Sequence, residues 1–404
     1  MTQSKKKVFL FTLNDLSKEG GAVLRIKGLI SLISREHCVR LFSNSNESCD
    51  NLENVYLSCY FTVFEKRLFQ FMITFFPTNL IYCILWKKLS KLERIIVKSK
   101  INENDLIIFC EYLDNSVGYY LKKRGLIKSY INDHHGIATL EFSQTKKNYI
   151  NKIKLLVAKY HDENILSYAD KHIFASSSMK KYYVDNFHNY SKKVIGILPY
   201  YVSRDGYNEI IDLDFVNEFT KENDIDSFSK VILFVGYFKP LGGVKDLVMA
   251  FSKISPIKNN LCLCLVGDGP DFDAVIDLVE AFNLNENVII TGRLDYKYLP
   301  SLQHLCDVIV CPDRYNTYSN MIVHLKYYHS LLSNKPVVCG EFSSVEELNI
   351  FKRLSIPFKP SDIESLANGI QSGLKGNILI EKNTRRIVFD KFSYESAKMI
   401  SEII

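Results

Sequence analysis

The sequence predicts an α/β protein built from two Rossmann-like, doubly wound domains facing a cleft. Three observations carry that expectation. The chain has 404 residues, which at about 100 to 200 residues per domain is long for a single core. Its 47% apolar and 24% charged residues are those of an ordinary globular protein and exclude fibrous and disordered classes. Short apolar runs alternate with segments whose apolar residues recur at helical spacing, which is the pattern of a parallel sheet.

Taken in order, KKVFLFTLND reads as a strand, and KEGGAVLRIKGLISLISRE as a Gly-Gly turn followed by a helix. Leu68 to Trp86, LFQFMITFFPTNLIYCILW, approaches the length of a membrane span. Pro77 at its centre breaks a helix, so a pair of core or interfacial helices is expected, with a surface dipping into lipid and, less so, a true span as the alternatives. DLIIFCEY reads as a strand, NSVGYYLKKRG as a helix, KSYINDHHG as a strand, Lys146 to Ala169 as a long helix, KHIFAS as a strand and SMKKYYVDNF as a helix.

The pattern pauses after Pro199-Tyr200-Tyr201 in a polar segment, placing a domain boundary there. The scheme then repeats. KVILFVGYF, LCLCLVGDGP, NVIITGR, CDVIVCP and KPVVCGE read as strands, separated by helices at DFDAVIDLVEAFNL, YLPSLQHL and MIVHLKYYHSLLSN. FSYESAKMISEII reads as a closing helix. The expected division is residues 1–202, 203–385 and a terminal helix over 386–404 that packs back toward the first domain.

Ten cysteines without a CxxC pair, several inside apolar runs, read as reduced core residues. The basic start followed by a short apolar run is too brief for a signal-peptide core, and a cytoplasmic location is expected. Residues 1–200 carry 30 Lys/Arg against 18 Asp/Glu, and residues 201–404 carry 21 against 27. The basic half is therefore the half expected at a membrane surface. No RNP-type, zinc or helix-turn-helix signature accompanies the charge, and nucleic acid is not expected as a partner.

The order VILFVGYFKPLGGVKDLVMAF, LCLVGDGPDF, NVIITGR, LPSLQHLCDVIVCP and SNKPVV resembles the donor domain of family 4 of the retaining glycosyltransferases. YINDHHG and ENILSYADKHIFASSSMKKYY extend the resemblance, more loosely, into the first half. The resemblance implies a GT-B fold and transfer of a sugar from a nucleotide-activated donor to a glycan or lipid-linked acceptor of the bacterial envelope, such as O-antigen or capsule. It also implies peripheral association with the inner membrane. No cofactor and no metal are expected, the nucleotide sugar being a substrate.

Holding a diphosphate calls for backbone N–H groups, helix N-termini or cations. Gly20 and Gly21, opening a helix, fit such a loop, with a tight turn without a ligand as the alternative. Within LVGDGP, Val266 to Pro270 lack the lysine and serine of a P-loop and read as a turn that shapes the chain. The resemblance places His135 near the donor sugar or acceptor and Gly292-Arg293 near the base. Asp133 and Glu141, flanking the histidines, read as residues that cap or solvate a loop.

The sequence departs from the family where it is normally most cationic and acidic. Gly236-Tyr237 and Gly242-Gly243 stand where a Gly-Arg and a Lys-Gly pair hold the diphosphate, leaving Lys239 or Lys245 as substitutes. The two glutamates of the family's E-x7-E signature fall on Met321 and His329, while Lys326 keeps the lysine common before the second glutamate. Ser319 and Asn320 are expected at the start of that helix, presenting N–H groups or an amide to phosphate or sugar. Catalytic roles are thus expected for His135, Lys326 and His329. Two alternatives stay open: a non-catalytic partner in a polysaccharide synthase complex, and a sugar-nucleotide epimerase of the same fold, for which the carboxylate-rich cleft is missing.

Overall fold

The computed structural model describes residues 7–17, 20–43, 55–58, 63–76, 78–143, 148–190, 192–198, 202, 210–346, 351–376 and 383–393. The chain divides into one unit of Met1–Tyr201 with Ala397–Ile404 and a second of Val202–Ser396.

The first unit alternates strands and helices. Its elements are β1 (Lys7–Phe11), α1 (Gly21–Ser34), β2 (Cys38–Phe42), β3 (Val55–Ser58), α2 (Val63–Phe75), α3 (Thr78–Lys98), β4 (Leu106–Cys110), α4 (Glu111–Lys123), β5 (Ile131–His134), α5 (Ala138–Ser143), α6 (Tyr149–Tyr160), β6 (Lys171–Phe174), α7 (Ser177–Asn186) and β7 (Val194–Ile197). The strands form a seven-stranded sheet in the order β3-β2-β1-β4-β5-β6-β7, with Val8 opposite Leu106 and Val8 opposite Val39, all pairs parallel. After Lys7, β1 is apolar because both faces are covered. Val8 and Leu10 join Ile26, Leu29 and Ile33 of α1 on one face. Phe9 and Phe11 join Phe69, Ile81, Leu89 and Val117 from α2, α3 and α4 on the other. Phe11 stacks between Phe42 and Phe109, with centroids at 4.4 and 4.6 Å.

The second unit contains α8 (Leu213–Glu222), β8 (Lys230–Val235), α9 (Val244–Lys253), β9 (Leu261–Val266), α10 (Phe272–Ala281), β10 (Val288–Gly292), α11 (Leu299–Leu305), β11 (Val308–Cys311), α12 (Leu325–Leu331), β12 (Val337–Gly340), α13 (Ser343–Glu346), α14 (Phe351–Leu354), β13 (Ile356–Phe358), α15 (Ile363–Leu374) and α16 (Thr384–Phe392). Its parallel sheet runs β10-β9-β8-β11-β12-β13. Phe234, Leu247, Phe251, Leu263, Val308 and Ile370 centre its core. In each unit the strand order reverses beside the first strand, between β1 and β4 and between β8 and β11. Sheets of this kind bind ligands at the carboxyl ends of strands at such switch points.

One expectation holds and two change. The apolar Leu68 to Trp86 segment is indeed split between α2 and α3, and among the described residues no helix is long and apolar enough to cross a membrane. The long helix expected from Lys146 to Ala169 holds its α-form only to Tyr160. At His161 and Asp162, both buried, the chain widens so that Leu166 N–H bonds the carbonyl of His161, five residues back, before a 3₁₀ turn at Leu166–Tyr168. The helix expected from Met321 begins only at Leu325. The closing helix expected beyond Phe392 lies outside the described residues.

Candidate functional site

Residues that could act on a ligand gather at the two switch points. In the first unit they are built around Arg25 of α1. Its guanidinium is fully buried and donates through Nε to Asp133 Oδ2 at 3.0 Å, through Nη2 to Asp133 Oδ1, and through Nη1 to the carbonyl of Leu198. Asp133 therefore does not cap a loop. Near the end of β5 it points inward, where the Arg25 guanidinium matches its charge. Burial alone would raise its carboxyl, but the Arg25 charge and the adjacent His135 outweigh burial and hold it well below the usual carboxylate range.

His135 follows β5, and its Nε2 lies 2.7 Å from Asp133 Oδ2 and its Nδ1 3.5 Å from Glu111 Oε1. Burial would lower this imidazole, yet the neighbouring Asp133 carboxylate, with the hydrogen bonds to Asp133 and Glu111, raises its pKa above the ordinary value. Glu111, at the end of β4, takes a φ of 78°, a left-handed backbone that costs an L-residue of order 1–3 kcal/mol and gathers at functional sites. Asn14, just beyond β1, donates Nδ2 to Glu111 Oε2 at 2.7 Å. His134, one residue earlier, faces the core against Phe174 and His172 and is pushed down to about 3 by burial. Of the two histidines, His135 is thus the one whose charged form its surroundings favour.

Cys110, Asp133 and His135 place ligand-type atoms within 4.8 Å of one another. The set does not fit a metal ion. Both Asp133 oxygens already accept from Arg25, whose charge opposes a second cation, and burial, then Asp133, raises the Cys110 thiol. Gly20 precedes α1 without a side-chain cap, and a Cβ there would have no atom within 4 Å. The Gly20-Gly21 loop is thus open rather than forced by its own packing.

In the second unit the loops after β8, β9 and β10 are stitched through backbone. Gly236 N–H bonds Val266 O at 3.0 Å, Gly267 N–H bonds Gly292 O at 2.8 Å and Phe238 N–H bonds Asp268 O at 2.7 Å. Gly267 has a φ of 145°, and a Cβ there would lie 1.8 Å from Gly236 O. Glycines of LVGDGP are therefore demanded by close backbone approach. Gly243 (φ 71°) lets the β8–α9 loop rest on the β11 loop, since its Cβ would lie 1.8 Å from Pro312 O.

Lys326 of α12 reaches this point, with Nζ 2.9 Å from Asp313 Oδ1 and 5.2 Å from the Phe234 ring centroid. Asp313, just past β11, is buried; burial would raise its carboxyl, but Lys326 and His324 hold it far down. Arg314 pairs with Asp246 of α9 at 3.1 Å. Lys245 is engaged by Asp271 at 3.1 Å, while Lys239 is exposed on the loop after β8. Arg293 is exposed at the end of β10, and three residues on, Tyr296 Oη lies 3.0 Å from His329 Nδ1. Burial pushes His329 down to about 4, so the ring occupying the expected carboxylate position is neutral.

Ser319, Asn320 and Met321 do not open α12. Asn316 and Ser319 close a turn, Ser319 N–H bonding Asn316 Oδ1 at 2.6 Å and Ser319 Oγ bonding Arg314 O at 2.7 Å. Asn320 exchanges bonds with Ser343, and His324 Nε2 lies 2.8 Å from Ser319 O. These side chains compete with helical bonding, which delays the helix by four residues. Arg25, Glu111, Asp313 and His324 carry no local sequence signal; only Asp313, placed directly after a strand, could have been singled out.

These two parallel-sheet units with strand-end sites have the GT-B fold. Similar solved structures include sucrose-phosphate synthase from Thermosynechococcus elongatus (TM-score 0.72, 18% identity, 99% of this chain and 98% of that one). They also include Anabaena HepE in complex with UDP and glucose (0.71, 15%, 98% and 99%) and WaaG, a glycosyltransferase involved in lipopolysaccharide biosynthesis (0.67, 13%, 98% and 99%). Residues 215–387 match the family model of glycosyl transferases group 1, so the second half of the chain carries a domain of that group. The Bacillus anthracis N-acetyl-alpha-D-glucosaminyl L-malate synthase is 31% identical over 80 residues. That match spans 20% of this chain and 21% of the relative.

Proposed function

We propose that the protein transfers a sugar, with retention at the anomeric carbon, from a nucleotide diphosphate sugar to a lipid-linked envelope glycan at the inner-membrane surface. The observation that carries the reading is the match of residues 215–387 to the group 1 glycosyl transferases, a stretch that contains both switch-point strands and Lys326. A uridine diphosphate donor is supported by the UDP in HepE, and an envelope acceptor by the pathway of WaaG.

In this reading Lys326, Lys239 and Arg293 supply positive charge to the diphosphate and base, and the open Gly20-Gly21 loop at α1 admits a phosphate or acceptor close to backbone N–H groups. Ser319 and Asn320 act by shaping the turn before α12. His135, whose charged form Asp133 and Glu111 favour, places positive charge beside the sugar. The acceptor oxygen forms its bond to the anomeric carbon on the face from which the diphosphate departs, and a diphosphate oxygen takes the acceptor proton. The protein contributes position and electrostatics.

A panel of nucleotide sugars tests this. One donor should raise the melting temperature and slowly release free nucleotide. At a concentration of 100 Kd a bound donor stabilises by about 2.7 kcal/mol. If no donor shifts the melting temperature and none is cleaved, the reading fails. Stabilisation without cleavage, also with acceptor present, would favour a non-catalytic partner, which the neutral His329 in place of a carboxylate supports.

A further inference from the structure

Two helices of the first unit carry apolar stripes that, among the described residues, stay largely exposed. On α2, Phe69, Met72 and Ile73 enter the core, while Phe64, Leu68, Phe71 and Phe75 recur at the spacing of one helical face. Phe64 is 75% and Phe71 58% exposed. On α6 the same spacing recurs outward at Tyr149, Ile153, Leu156 and Tyr160, with Tyr149 84% and Leu156 68% exposed. Ala158 is the fully buried residue of that helix. The two helices pack on each other, and Lys154 Nζ lies 5.2 Å from the Phe75 ring centroid, so the stripes belong to one surface.

Cations are interleaved with the apolar residues. Arg67, Lys152, Lys154 and Lys159 stand on these helices against Glu65 as their acidic residue, while the charge of Lys66 acts on Glu111 of the strand-end site. Lys152 folds over the Tyr149 ring at 5.5 Å, a stem along apolar surface with its charge at the rim. A buried protein interface is depleted of lysine at its core. Aromatic and aliphatic residues threaded by lysine match instead an interfacial helix that sinks its apolar side between headgroups and holds anionic lipid with its cations.

We propose that α2 and α6 together form a docking surface for an anionic lipid bilayer, in the plane of which both helices lie. The inference deepens the proposed reading, on which it rests for the use that docking serves. Binding and transfer are measured separately so that either can fail alone.

The test is co-sedimentation of the full chain with vesicles of mixed phosphatidylglycerol and phosphatidylcholine, and of phosphatidylcholine alone. We expect partitioning into the anionic vesicles to be about tenfold stronger and to weaken with salt. Phe71→Glu with Leu156→Glu should reduce it at least about tenfold, and so, independently, should Lys152→Glu with Lys159→Glu, a pair of exposed substitutions that keeps the test valid if the first variant does not fold. Melting temperature should be unchanged in the variants. Loss of vesicle binding supports the surface whether or not a donor is turned over. The proposal is overturned if both variants bind vesicles like the parent, or if sedimentation velocity shows a dimer of the parent that the apolar pair converts to monomer.

Discussion

Arg25 and Asp133, 108 residues apart in the chain, form a fully buried two-point ion pair, with Arg25 Nε 3.0 Å from Asp133 Oδ2. The pair fastens α1 to the end of β5, and the same Asp133 oxygen that faces Arg25 Nε also orients His135. Structural and functional demands therefore meet on one carboxylate.

Removing either partner leaves a buried charge unmatched. Arg25→Leu and Asp133→Leu should each cost about 3–5 kcal/mol, whereas the double variant should cost much less than their sum. Urea denaturation of the three variants measures the coupling. Additive costs would show that the pair is not coupled as the geometry requires.

The charge on His135 has a pH signature. Its folded pKa lies above the ordinary 6.5, so any activity or stability drawn from the imidazolium is complete below that value and is lost as pH rises through the folded pKa. His135→Asn should abolish the alkaline limb of kcat/KM and lower activity about 100-fold, the lower end of a general-acid or hydrogen-bonding contribution. Glu111→Gln removes one of the two supporting carboxylates and should move that limb to lower pH. An unmoved limb would mean another group sets it.

Lys326 is predicted to hold donor rather than fold. Lys326→Met should weaken UDP binding about tenfold, equal to about 1.4 kcal/mol, with Lys326→Arg restoring most of it. Isothermal titration reads both. His324 remains beside Asp313 at 3.6 Å, so the melting temperature should fall only modestly. Equal affinity in Lys326→Met would place the diphosphate elsewhere.

Asp162 predicts a stability slope of the opposite kind to an ordinary carboxylate. It is fully buried, and burial pushes it up to about 7 despite hydrogen bonds from Thr139 and from Tyr183. The native state keeps a proton that the unfolded chain gives up near pH 4, so this contribution is complete below about pH 4 and is lost as pH rises toward 7, at about 1.4 kcal/mol per pH unit. Asp162→Asn should remove that slope from denaturation curves taken between pH 4.5 and 7. An identical slope in the variant would assign it to other groups.

Much of this was legible from residues alone. β1 shows as the apolar run after Lys7 because a strand covered on both faces is apolar, and Gly20-Gly21 marks the turn into α1. LVGDGP was readable as a shaping turn, and Gly267 against Gly236 O gives its physical reason. His135 could be placed at a strand end, though not its charge. Arg25 looks like any cation in an amphipathic helix, and Asp133 like a loop carboxylate, until the sheet brings them together. The start of α12 was misplaced because the Asn316–Ser319 turn and the Asn320–Ser343 bonds take the backbone that periodicity assigned to a helix. The stripe on α6 was readable as a helix but not as a surface, since burial of Ala158 and exposure of Leu156 depend on which elements pack against that helix.

By itself the sequence determined the order of strands and helices, the two-unit plan and the glycine turns, because periodicity and backbone freedom act over a few neighbouring residues. Tertiary structure alone decided which charges pair, which histidine's charged form is favoured and which apolar faces stay open. Those properties depend on burial and on strand ends more than a hundred residues apart. Arg25 meets Asp133 only because α1 packs on a sheet in which β4 and β5 follow β1 side by side.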